Sequence, residues 1–232
     1  MNEIGGTKAL GPIFGGIFGV IVSPRTYLRI LHTWLAFPLG LAYFVVFVTL
    51  FALGMGLLIV WVGLLVLAFA GVLAWAAILF ERTQAIWLLG AGLGPARQPL
   101  RAQEGFRAWA KSVVRSPAFW KGNVFLALKF PLGLVGWIVS VVSFSVSWAF
   151  IAAPFALWFG GTIDLGPRWI EDTPGAFVLT LVGLLMLFLT LHLHNAIGWA
   201  WGELAKLLLQ TEQQPVVEPT PQPRDLPAFV QV

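Results

Sequence analysis

From Phe37 to Phe80 the sequence carries no charged side chain over 44 consecutive positions. A membrane-crossing helix needs about 20 apolar residues, so this run holds two spans joined by a very short turn. The paired glycines of Gly54-Met55-Gly56 weaken a helix and place the turn there, leaving Leu57 to Phe80 for the return. Two more uncharged runs, Phe130 to Ile163 and Thr173 to Trp201, predict further spans near 131–152 and 174–195. A chain that is 59% hydrophobic and 10% charged cannot cover a water-exposed globule, because soluble domains run near ~25% charged. The predicted fold class is an all-α membrane protein with four transmembrane helices in two tandem hairpins.

The net charge of +4 is distributed by topology. Between Glu81 and Lys129 lie eight bases and two acids, whereas Asp164 to Asp172 holds three acids and one base. Loops that stay in the cytoplasm keep their lysines and arginines, so the central segment and both termini are expected inside, and the 161–173 loop outside. The implied location is an inner membrane, crossed several times. The basic excess is then met by anionic lipid, and no nucleic-acid partner is expected. Residues 1–22 lack the pattern of a cleavable signal peptide and carry six glycines, which predicts a flexible segment. Five prolines after Glu212 make 211–232 an extended tail.

The chain also repeats itself. Phe37-Pro38-Leu39-Gly40-Leu41 recurs 93 positions later as Phe130-Pro131-Leu132-Gly133-Leu134, and the same offset carries Ser23-Pro24 onto Ser116-Pro117. This divides the chain into a first repeat at 23–95 and a second at 96–210. Each Ser-Pro is expected to cap a helix whose first residue is the proline. Arg25, Arg29 and His32 on one face of 24–37, with Trp34 on another, predict an interfacial helix. A second basic amphipathic segment carries Arg107, Trp109, Lys111 and Arg115 at the same inner surface. Pro38 and Pro131 are expected to bend the chain from that surface into a span. Both halves read as in-out-in, hence as parallel repeats without a polar site at the membrane midplane.

The proline-bearing Phe-Pro-Leu-Gly-Leu segments, the stretch Gly54-Met55-Gly56-Leu57-Leu58-Ile59-Val60-Trp61-Val62-Gly63, and Glu81-Arg82 followed by Leu88-Leu89-Gly90 resemble the putative sensor domain. That four-span module stands at the amino terminus of some bacterial histidine kinases and also alone, and the resemblance covers about 24–210. It implies a signal-input membrane module and supplies no ligand-binding residue. With only the proline tail after Gln210, such a chain is expected to act through a separate partner protein.

Little material points to chemistry. The absence of cysteine removes disulfides and thiolate ligands. No nucleophile–base constellation, phosphate loop or metal cluster is legible, so neither a catalytic nor a metal site is expected. His192 and His194 are the candidates for a cofactor, a haem or chlorophyll-type pigment held through an imidazole nitrogen. Two residues apart they point about 200° from each other, so one at most could serve. The plainer reading makes them boundary histidines, His32 a polar-face residue, and Glu81 and Arg82 headgroup anchors. Glu203 and Lys206 are expected to pair on one face, and Asp164, Arg168, Glu171 and Asp172 to be solvated. The alternative to sensing is a structural or accessory subunit of a respiratory or photosynthetic complex. Expected partners are lipids and either other membrane subunits or further copies of the chain.

Overall fold

The computed structural model describes residues 19–94, 106–164, 169–170 and 173–210. The predicted tail at 211–232, most of the amino-terminal segment, and Arg168, Glu171 and Asp172 lie outside the described residues, as do the side chains of Arg107, Trp109 and Asp164. Four long helices dominate: α1 (Pro24–Gly56), α2 (Val62–Leu89), and, after the short α3 (Phe106–Arg115), α4 (Pro117–Ile151). A brief α5 (Ala153–Trp158) and the antiparallel pair β1 (Ile163–Asp164) and β2 (Trp169–Ile170) lead into α6 (Thr173–Leu209). All four long helices are long and apolar enough to cross a membrane. The chain is a multi-pass membrane protein.

Helix is what this composition dictates, since inside a bilayer every backbone N–H and C=O must find its partner within the protein. The hydroxyls obey the same rule: Thr33 donates to Arg29 O, Ser143 to Val139 O and Ser147 to Ser143 O. Each bond returns to the preceding turn, which hides the polar group against its own helix. Outward faces are apolar, with Ile59 at 90% and Phe159 at 88% exposure.

The structure departs from the sequence expectations at the hairpin turn and at the serine caps. The hairpin turn is not at Gly54-Met55-Gly56, because α1 runs through them; it is the 3-10 turn Leu57–Val60 followed by Trp61 at a φ of +64°. Gly54 is spent on packing instead, since a Cβ there would lie 2.6 Å from Leu67 on the returning helix. Pro38 and Pro131, expected to bend the chain, lie within α1 and α4, which continue through them. Both are exposed, so the carbonyl that each leaves without its helical donor lies toward the outer face of the bundle. Ser23 and Ser116 do occupy N-cap positions ahead of proline, with φ/ψ of −71°/118° and −73°/125°, but neither hydroxyl caps. Proline has already removed one amide donor, and the Ser23 and Ser116 carbonyls accept instead from Thr26 and Phe119 N–H, at 3.1 Å in both.

The 93-residue offset relates detailed contacts. Tyr27 Oη donates to Ile21 O at 2.7 Å, and Trp120 Nε1, at the equivalent position, donates to Val114 O at 2.9 Å. A Cβ on Gly40 would lie 2.7 Å from the Lys129 carbonyl carbon, and one on Gly133 would lie 2.8 Å from that of Ala36, its counterpart. Phe37 and Phe130, also equivalent, stack on each other at 6.4 Å. Through this contact Thr33 meets Gly136 while Gly40 meets Lys129, so α1 and α4 run antiparallel where they touch, a crossing that the reading of two parallel in-out-in repeats did not anticipate. The first turns of each then rest on the return helix of the other half: Arg29 crosses Gly198 on α6, and Gly122 receives Ile78 of α2. The segments 24–37 and 117–130 are therefore not free surface helices, because one face of each is buried in protein.

Candidate functional site

The charged ends of the long helices meet in one layer where the two halves interlock. Phe37, Phe80 and Phe130 mark its border with the uncharged runs. On one side Glu81 of α2 pairs with Lys129 Nζ of α4, the two side chains being 1% and 0% exposed. Tyr43 Oη of α1 donates to the other Glu81 oxygen at 2.8 Å, and Lys129 also reaches Gln84 Oε1 at 3.3 Å. A buried ion pair is tolerable only when the remaining lone pairs and protons are occupied, and here three helices supply the partners.

This arrangement corrects the sequence reading of Glu81 and Arg82 as headgroup anchors, since both are buried in protein. Arg82, 5% exposed, donates through Nη1 to Leu209 O and through Nη2 to Gly94 O. It thereby ties the end of α6 to the segment leaving α2, where Gly90 turns at a φ of +67°. Hydropathy averages miss such residues. A positional signal was present, however: Gly122, Leu126, Lys129, Gly133, Gly136, Ser140 and Ser147 recur at spacings of three, four and seven and are all buried. Small and polar residues on one stripe are what a close helix contact in a membrane requires.

The layer also holds aromatic contacts. His32, expected on the polar face of an interfacial helix, is 1% exposed and sits edge-on to Trp201, with ring centroids 5.6 Å apart. Its Nδ1 has no hydrogen-bond partner among the described residues. Arg29 Nη1 donates to Asn195 Oδ1 at 3.0 Å, and Asn195 Nδ2 donates to Thr26 Oγ1 at 3.1 Å. Of the other predicted interface residues, Arg25, Trp34, Lys111 and Arg115 are exposed. Glu203 and Lys206 pair at 2.7 Å as their spacing predicts.

The two histidines of α6 divide as the 200° argument requires. His194 is buried, with Nδ1 at 2.8 Å from Thr190 O and Nε2 at 2.7 Å from Ser140 Oγ. A carbonyl only accepts, so Nδ1 donates and Nε2 of the neutral ring accepts the Ser140 hydroxyl. That leaves His194 no lone pair for a cofactor. His192 packs edge-on to Phe188 at 4.6 Å, and its buried Nε2 has no hydrogen-bond partner among the described residues, so it keeps the nitrogen an axial ligand needs. Among the described residues no three His, Asp or Glu side chains converge as a metal site would demand.

A family model described as "Putative sensor" matches residues 32–209, which cover the first span from His32 onward and the other three whole. The chain belongs to this family. The match begins at His32 and ends at Leu209, the residue whose carbonyl Arg82 holds. No curated protein and no solved structure matches the chain. Membership of a sensor family points to a non-enzymatic role.

Proposed function

We propose that the protein is a signal-input module of an inner membrane, that both its termini face the cytoplasm, and that it acts on a separate partner protein rather than on a substrate. The observation that carries this reading is the family match over residues 32–209. Its architecture suits the role. The two halves interlock in one polar layer, while Val45, Phe51, Leu64 and Leu65 on the first hairpin and Leu181, Leu185 and Leu189 on the second face outward as apolar surface. A change in lipid or in a neighbouring chain acts on those outer faces, and its mechanical consequence is felt where the halves join.

The test is purification of the full chain in mild detergent, with mass measurement before and after deletion of 213–232. The reading expects an assembly heavier than one 25.3 kDa chain that loses a component on deletion. A lone monomer indifferent to the deletion contradicts it.

A further inference from the structure

One turn of α2 reaches the other three long helices through two adjacent side chains. Glu81 receives Lys129 of α4 and Tyr43 of α1, while Arg82 donates to Leu209 O of α6 and to Gly94 O. Neighbouring residues on a helix point about 100° apart, so a rotation of α2 cannot relax one set of bonds without pulling on the other. Leu209 O belongs to the last four carbonyls of α6, which have no donor within the helix. A guanidinium there supplies the donor and meets the negative end of the helix dipole. Leu209 is itself 4% exposed, so the end of the helix is fastened inside the protein rather than left in solvent. The next residue, Gln210, donates its N–H to Lys206 O at 3.2 Å, and the proline-rich sequence follows directly.

We propose that Glu81-Arg82 is a mechanical latch. The two bonds that Glu81 accepts, from Lys129 across the halves and from Tyr43, together fix the rotation of α2, and α2 in turn holds the final turn of α6 through Arg82. Any event that parts the halves at Lys129 then loosens the helix end from which the tail departs. The latch deepens the sensor reading, and its role as an output rests on that reading. The coupling itself belongs to the fold and is measured with no signal and no partner present.

Hydrogen exchange of the full chain in lipid nanodiscs tests it, comparing Tyr43→Phe, Glu81→Gln and Arg82→Lys. A lysine cannot donate to two separated carbonyls as the guanidinium fork does. The peptide covering 204–210 should exchange roughly tenfold faster or more in Arg82→Lys, while 180–190 keeps its protection. Glu81→Gln and Tyr43→Phe, which leave Arg82 in place, should accelerate the same peptide severalfold. Glu81→Gln combined with Arg82→Lys should add nothing to Arg82→Lys alone, since both act through one contact. Wild-type exchange at 204–210 in Glu81→Gln and Tyr43→Phe overturns the latch and reduces Arg82 to a local cap. If Glu81→Gln loosens every helix, Tyr43→Phe decides, because it keeps the ion pair: acceleration confined to 204–210 supports the latch, and uniform or absent acceleration overturns it. An intact latch in a chain that captures no partner would defeat the sensor reading alone.

Discussion

Lys129 pairs with Glu81 across the duplication, 48 residues away in sequence, with both side chains withdrawn from solvent and lipid. The residue equivalent to Lys129 in the first repeat is Ala36, so the pair is not inherited symmetry but a feature of one side of the interface. Removing one partner leaves an uncompensated buried charge. Lys129→Met should cost about 3–5 kcal/mol of stability, and the double replacement Lys129→Met with Glu81→Met should recover most of it. Unfolding midpoints in detergent mixtures measure both, and a double variant no better than the single would show that the pair itself contributes the stability.

Gly40 and Gly133 support reciprocal backbone contacts, so Gly40→Ala and Gly133→Ala should each destabilise by roughly 1–3 kcal/mol through forced separation of α1 and α4. Gly71 has nothing within 4 Å of a built Cβ, and Gly71→Ala should leave stability equal or higher. Thermal denaturation of the three variants in one detergent separates contact from helix propensity.

His194→Leu should cost about 1–3 kcal/mol, because it removes a buried ring together with its hydrogen bonds to Ser140 and Thr190, whereas His192→Leu should be nearly neutral. Added haem offers a second readout. Any axial binding should survive His194→Leu and vanish in His192→Leu, as followed by the Soret absorbance.

The natural sequence has no cysteine, so single cysteines report sidedness without background. With labelling reagent outside intact cells, Trp61→Cys and Gly161→Cys should react, and Lys111→Cys should react only after permeabilisation. Modification of position 111 from outside would reverse the proposed orientation.

Four spans and their pairing as hairpins were legible from charge-free runs, and the 93-residue spacing of the Phe-Pro-Leu-Gly segments from repeated proline dipeptides. The Phe-Pro-Leu-Gly segments could be located, but not their role: they form a crossing in which Gly40 and Gly133 face each other's helix, whereas the prolines merely lie on the outer side. Trp61 took the left-handed turn expected of glycine because Gly54 and Gly63 were needed for contact between the hairpin's helices. Sequence determines how much of a chain must leave water, since transfer free energy sums over local residues and needs no knowledge of neighbours. Whether Glu81, Lys129 and Arg82 reach lipid headgroups or one another depends on which helices approach, at what register and rotation. That is a property of packing between segments up to 127 residues apart, and only the tertiary structure decides it.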